Sequence, residues 1–190
     1  MRIIAGLGKG RNLISPTGAT RPTSDRAKEA LFSTLESEFG SLDDTYFLDL
    51  FCGSGAIGVE ALSRGAAVVH AVDKDESATA IARQNFALLE KIPGVGSVSV
   101  FTSAVGKYLD SSSGIAFDIV YIDPPYEVTN DAIEKVLAQL VANKILKSSA
   151  IVAVERESKT RPFQWPMGLA ALKVRKYGAA TIYYGEPQSA

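Results

Sequence analysis

The sequence predicts an α/β fold: a Rossmann-like, mainly parallel sheet of seven strands that closes with an antiparallel hairpin and carries a basic amino-terminal appendage. Three observations predict it. Apolar, β-branched runs alternate with helix-patterned segments through the middle of the chain. The first of these runs ends in a glycine-rich turn, Gly53, Gly55 and Gly58, and two strand-like runs close the chain around Gly178. Alternating strand and helix implies parallel strands joined by crossover helices, with helices on both faces of the sheet.

From the amino terminus, residues 2–14 read as a short basic hairpin with Gly8 or Gly10 in its turn. Asp25 suits the cap of a helix whose Ala27, Ala30, Leu31, Thr34 and Leu35 recur at helical spacing. Together these make an appendage, residues 1–40, on a domain spanning 41–190. Within that domain, strands are expected at 46–51, 67–73, 97–102, 117–122 and 149–155. Helices are expected between them at 55–64, 75–88, 104–110 and 130–142. Gly94 to Gly96 and Ser111 to Gly114 read as loops at the sheet edge. The runs Ala171 to Lys176 and Thr181 to Tyr184, joined through Gly178, supply the antiparallel edge.

Composition narrows the class. With 190 residues, 46% of them hydrophobic, the chain can bury one sizeable core. It lacks an eighteen-residue apolar run and a signal-peptide core, so a cytoplasmic protein with no membrane contact is expected. The single cysteine, Cys52, excludes an intrachain disulfide. The single histidine, His70, lies in a strand, and no metal site is expected. The net charge of −1 conceals an uneven distribution. Residues 1–28 hold Arg2, Lys9, Arg11, Arg21, Arg26 and Lys28 against Asp25 alone, whereas the remainder holds fourteen bases against twenty acids. A basic arm on an acidic body suits a face that meets phosphates; the bland alternative is a solvated arm.

Asp123-Pro124-Pro125-Tyr126 follows the apolar run 117–122, which puts it at the carboxyl edge of the sheet where open α/β folds bind ligands. Two prolines fix φ and remove two donors, so the turn's carbonyls are left without ladder partners. A carboxylate, free carbonyls and an aromatic ring on a rigid turn can hold a planar amine. Upstream, Gly53, Gly55 and Gly58 spell G-x-G-x-x-G between strand and helix, where a ligand approaches the backbone at a helix N-terminus. Asp49, four residues before the first glycine, would repel a pyrophosphate but suits an ammonium or sulfonium. Asp73, ending the next strand, stands where such folds place an acid for ribose hydroxyls.

D-x-F-x-G-x-G, an acid-terminated strand and then D-P-P-Y resemble a class I S-adenosyl-L-methionine-dependent methyltransferase acting on exocyclic amines. The segment Arg21-Pro22-Thr23-Ser24-Asp25-Arg26, with Arg2-Ile3-Ile4-Ala5-Gly6 before it and Glu60-Ala61-Leu62-Ser63-Arg64-Gly65 after the glycine motif, is similar to the RsmD family. That family methylates N2 of a guanine in small-subunit (16S) ribosomal RNA. The resemblance runs from Arg2 to about Tyr184 and implies S-adenosyl-L-methionine as cofactor. It implies cofactor contacts at Thr23, Asp49, Phe51, Gly53, Ser54, Gly55, Asp73, Lys74, Ser103, Ala104 and Asp123, and an acceptor site of Asp123, Pro124, Pro125 and Tyr126. RNA contacts are expected at Arg2, Lys9, Arg11, Arg21 and Arg26, on a monomer acting on ribosomal RNA within a small-subunit assembly intermediate. Family members commonly carry an acid after the third strand; here Ser103-Ala104-Val105 has none, which leaves adenine contact to backbone atoms and Ser103.

The chemistry follows from the amine. The N2 lone pair is delocalised into the ring, so acceptors that polarise its N–H bonds favour the pyramidal, nucleophilic form. Asp123 and the Pro124 carbonyl are the expected acceptors, with Tyr126 stacking on the base. Cys52 reads as a packing residue, since transfer to an amine needs no covalent intermediate. A D-P-P-Y turn serves any planar exocyclic amine, so methylation of DNA adenine or another RNA is the alternative within the enzymes. A catalytically silent RNA-binding assembly factor is the alternative outside them, and an NAD-dependent oxidoreductase ranks third.

Overall fold

The computed structural model describes residues 1–15, 25–112 and 114–188, the side chains of Asp25 and Arg26 excepted. In chain order the elements are α1 (Asp25–Phe39), β1 (Tyr46–Leu50), α2 (Ala56–Ser63), β2 (Val68–Asp73), α3 (Glu76–Ala87) and β3 (Ser97–Thr102). They continue with α4 (Val105–Ser111), β4 (Phe117–Ile122), α5 (Asn130–Ala142), β5 (Leu146–Glu157), β6 (Leu169–Tyr177) and β7 (Ala180–Pro187). The strands form one sheet in the order β3-β2-β1-β4-β5-β7-β6. The first five are parallel, and β7 runs antiparallel between β5 and β6. The fold is Rossmann-like.

Burial on both faces explains the near-continuous apolar strands. On one face Phe47, Val69 and Tyr121 pack with Leu31 and Phe32 of α1, Leu62 of α2 and Phe86 of α3. On the other, Leu48, Val120 and Val152 pack with Leu109 of α4 and Leu137 of α5. Strand order reverses between β1 and β4, the switch point beside which open α/β sheets bind ligands beyond the carboxyl ends of their strands. Leu50 is in register with Val72 and with Ile122, so the residues that follow all three strands reach a common edge.

Several boundaries differ from the sequence expectation, each for a physical reason. β1 stops at Leu50 because Phe51 takes φ 60°, a left-handed conformation, while the Cys52 N–H donates to the Val72 carbonyl at 3.0 Å. β5 starts earlier than 149: a bulge pairs Phe117 with Leu146 but Ile119 with Ile151, so the polar stretch Lys147-Ser148-Ser149 is strand despite its composition. The final strand is not the edge; β7 inserts and leaves β6 outside. α1 begins with Asp25 as its first residue, so its cap falls before Asp25, outside the described residues.

The amino-terminal ribbon makes a single bridge, Arg2 with Asn12. Its left-handed glycines are Gly6 and Gly10; Gly8 is instead a point of close packing, where a Cβ would lie 2.3 Å from Leu89. Gly6 docks so closely that a Cβ would fall 1.8 Å from the Ser63 carbonyl oxygen. One buried carboxylate organises the region. Glu60 accepts from the Ile4 and Ala5 N–H groups at 2.9 Å each, and pairs with Lys28 at 3.2 Å and Arg64 at 2.9 Å. A buried charge is tolerated only when it is paired and hydrogen-bonded, and here two cations and two amides do both. Among the described residues no helix is long and apolar enough to cross a membrane.

Candidate active site

The glycine turn is held from two sides by carboxylates. Asp49, the next-to-last residue of β1, accepts the Gly58 N–H at 2.9 Å, one of the donors that the start of α2 leaves unpaired. Burial pushes the Asp49 carboxyl up to about 7, the Gly58 N–H opposing the shift and the Asp73 charge adding to it. Asp73 accepts the Gly53 N–H at 2.9 Å through one oxygen and the Asp75 N–H at 3.0 Å through the other, which fixes its plane at the edge. Each of these oxygens retains a second lone pair for a ligand hydroxyl. Gly53 has φ 52°, and a Cβ built on it meets nothing within 4 Å, so the space above its backbone is open. Gly58 differs: a Cβ there would press on Phe86 at 2.9 Å, so its glycine serves the packing of α2 on α3.

Of the other predicted cofactor residues, those in the described segments lie along the same sheet edge. Phe51 and Ser54 lie in the turn, and Lys74 follows Asp73 on the surface. The Ser103 N–H donates to the Asp73 carbonyl at 2.8 Å, and the Ser103 side chain is partly exposed. Ala104 is the residue before α4 and offers no side-chain cap. The Cys52 thiol is buried and its ionisation is suppressed, first by burial and then by the charges of Asp49 and Asp73.

At the end of β4 the Asp123 N–H donates to the Leu50 carbonyl at 3.4 Å, and the Val128 N–H donates to the Pro125 carbonyl at 3.0 Å. The Pro125 carbonyl, expected to be unpartnered, therefore closes a turn; the Pro124 carbonyl takes no donor among the described residues. That turn lifts the Tyr126 ring into solvent, 62% exposed.

Four residues that the sequence did not single out support the site. The Tyr121 hydroxyl donates to Glu155 at 2.5 Å, and because Ile122 pairs with Val154, Glu155 stands level with Asp123. Burial, then the charges of Asp123 and Glu155, hold the Tyr121 hydroxyl well above its ordinary range, and burial raises Glu155 as well. Arg156 is 7% exposed and donates to the Val128 carbonyl at 2.8 Å. Asn85 donates to the carbonyls of Ser54 at 2.9 Å and Ile14 at 3.0 Å and accepts the Ile14 N–H at 2.8 Å, joining the arm to the glycine turn. A signal for Asn85 existed in the sequence: it is an asparagine on the apolar face of a helix, between Ala82 and Phe86. No local signal marks Glu155, whose position depends on the register of β4 with β5.

The expected RNA contacts are not all brought to this edge. Arg21 and Thr23 lie outside the described residues, as does the side chain of Arg26. Arg2 and Lys9 are exposed, and the Arg11 guanidinium donates to the Leu88 carbonyl. The turn carrying Lys9 docks on Ser63, the last of the eight residues of α2. It therefore stands about 12 Å along the helix from the glycine turn, at 1.5 Å rise per residue. Among the described residues no group of three or more metal-ligating side chains comes together.

The chain is similar to Ribosomal RNA small subunit methyltransferase D of Escherichia coli, 34% identical over 99% of this chain and 91% of the relative. It is also similar to the protein of that name in Haemophilus influenzae, 33% identical over 94% and 89% of the two chains. The solved Escherichia coli yhhF chain superposes with a TM-score of 0.84 and 31% identity, covering 99% of this chain and 98% of its own. A family model, conserved hypothetical protein 95, matches residues 1–186, and with these relatives it shows that the chain belongs to the RsmD family.

Proposed function

We propose that this protein is an S-adenosyl-L-methionine-dependent methyltransferase that modifies the exocyclic N2 amine of a guanine in small-subunit ribosomal RNA. One observation carries the reading: a proline-stiffened turn presents Asp123, the Pro124 carbonyl and the exposed Tyr126 ring at the same sheet edge as the Gly53 cradle and its two carboxylates. The names of the relatives support ribosomal RNA as the substrate class.

The residues fit the cofactor by chemistry. Gly53 leaves its backbone open to close approach, Asp73 offers acceptors for ribose hydroxyls, and Asp49 offers negative charge to a cationic ligand. Phe51, Ser54, Gly55, Lys74, Ser103 and Ala104 complete the surround, and Thr23, outside the described residues, is included in the proposal as a further contact. When bound, S-adenosyl-L-methionine supplies an electrophilic methyl group. Asp123 and the Pro124 carbonyl accept the two N–H bonds of the target amine, which localises its lone pair. Tyr126 stacks on the base and fixes its orientation, and a held geometry of this kind lowers a barrier by roughly 7–11 kcal/mol in favourable cases. A loop guanine reaches the turn at less cost than a paired one. The proposal includes a cytoplasmic monomer acting on an assembly intermediate of the small subunit.

The test is a substrate panel with labelled methyl donor: small subunits stripped of the modification, naked ribosomal RNA, and DNA. Transfer to the RNA substrates and not to DNA supports the reading; transfer to DNA adenine, or to nothing in the panel, overturns it.

A further inference from the structure

A second block of positive charge lies far from the amino-terminal arm in sequence. Residues 156–177 hold Arg156, Lys159, Arg161, Lys173, Arg175 and Lys176 against Glu157 alone, whereas residues 29–155 hold eight bases against eighteen acids. Two of the six are committed, Arg156 to the Val128 carbonyl and Lys173 to Glu38. The other four, Lys159, Arg161, Arg175 and Lys176, are exposed, and among the described residues none of them forms an ion pair.

Topology brings these four to the active edge. Because β7 is antiparallel to both β5 and β6, β6 runs parallel to β5, and its carboxyl end lies where β4 and β5 also end. Arg156 and Lys176 are both in register with Thr181. Ser158 ties the end of β5 to the β6–β7 turn: its N–H donates to the Ala179 carbonyl at 2.7 Å and its hydroxyl to the Gly178 carbonyl at 3.1 Å. Lys159 follows directly. The acceptor turn adjoins this corner through two bonds, Arg156 to the Val128 carbonyl at 2.8 Å and Asn130 to the Arg161 carbonyl at 2.7 Å. Strand alternation sends Arg175 and Lys176 to opposite faces, so positive charge straddles the sheet edge.

We infer that this rim, Lys159, Arg161, Arg175 and Lys176, is a second RNA-phosphate surface, which holds the strand on the side of the acceptor turn away from the amino-terminal arm. The inference rests on the RNA substrate proposed above. Exposed like charges set close together repel one another, and a phosphate backbone relieves that repulsion and releases its own counterions. Apart from half-buried Tyr177, the rim residues 158–161 and 175–179 are basic, hydroxyl-bearing or small. They lack the exposed aromatic anchors on which protein interfaces centre, and bare charge at this density fits a polyanion.

The experiment measures binding of the full chain to deproteinised small-subunit ribosomal RNA, and to assembled small subunits, as a function of salt. Wild type is compared with Lys159→Ala/Arg161→Ala/Arg175→Ala/Lys176→Ala and with a control, Lys91→Ala/Lys107→Ala, whose lysines are exposed elsewhere. Removing one cation from a phosphate lowers the slope of log affinity against log salt by roughly 0.7–0.9. The quadruple variant is expected to lose a slope of roughly 2.8–3.6 on that scale, with a raised KM for RNA, an unchanged kcat and unchanged cofactor affinity; the control matches wild type. A quadruple variant with wild-type slope and KM overturns the inference, as does a control that loses as much, because total charge would then be the cause. A defect confined to assembled subunits, absent with naked RNA, places a protein on the rim and also overturns it. Binding reads the rim directly, so absence of methyl transfer by wild type would sink the proposed function and leave this comparison standing.

Discussion

Arg156 donates to the Val128 carbonyl at 2.8 Å, and the Val128 N–H in turn donates to the Pro125 carbonyl at 3.0 Å. A side chain of β5 thus fixes the turn that carries Tyr126 without touching the ring. Arg156→Met is expected to lower kcat for methyl transfer, with cofactor affinity unchanged, because the ring loses its set position. Small misplacements of this kind cost up to roughly 100-fold. Arg156→Lys keeps a donor and should recover part of the rate. Equal cofactor weakening in Arg156→Met, measured by calorimetry, would count against a role confined to the acceptor turn.

Tyr126 is offered as a stacking surface, so Tyr126→Phe should transfer methyl at close to the wild-type rate and Tyr126→Ala should not. Base–aromatic stacking contributes about 1–3 kcal/mol, which sets the expected loss in RNA affinity or rate for the alanine. Steady-state kinetics on RNA decide it: equal loss in both variants would move the function from the ring to the hydroxyl.

The raised Asp49 carboxyl predicts the sign of a pH dependence at the proposed cofactor site. Its carboxyl stands near 7 in the folded protein against 3.8 ordinarily, so it is neutral below that value and attracts a cationic ligand only above it. Affinity for S-adenosyl-L-methionine should rise from pH 5.5 to pH 8 by more in wild type than in Asp49→Asn. Stability runs the other way. A carboxyl raised on folding contributes stability that is complete below its unfolded value and is lost as pH rises through the folded one, so Asp49→Asn should gain thermal stability relative to wild type at pH 8. Parallel pH profiles for the two proteins would refute the assignment.

Asp73 both holds the Gly53 N–H and faces the expected ribose, so Asp73→Ala should weaken the cofactor by more than one hydrogen bond would. A bond to a charged group contributes roughly 1.5–3 kcal/mol, or about ten- to a hundredfold in affinity. Calorimetry on a folded Asp73→Ala protein is the check, and wild-type affinity there would send the ribose elsewhere.

The core strands were legible because burial on both faces writes itself into the sequence as apolar runs such as Ile119 to Ile122, and the candidate site acids could be picked out because each stands at or near the end of such a run. Long-range register was not. Nothing local in Lys147-Ser148-Ser149 announces the bulge that makes them strand, and Glu155 joins the site only because Ile122 pairs with Val154. The second basic block is visible in composition, yet its meaning depends on β7 inserting before β6, which turns the end of β6 toward the active edge. The arm shows the reverse. Its charge was plain, but Gly6 pins its turn to the far end of α2, an approach made across more than fifty residues of chain.

Asp123 is proposed to activate a guanine N2 amine in ribosomal RNA, and nucleoside mass spectrometry of the methylated RNA reads that step. Stripped small subunits incubated with S-adenosyl-L-methionine and wild-type protein should yield N2-methylguanosine. The same digest from Asp123→Ala should yield none, although that variant binds the cofactor within a few fold of wild type. A different methylated nucleoside from the wild-type reaction, or undiminished N2-methylguanosine from Asp123→Ala, would contradict it.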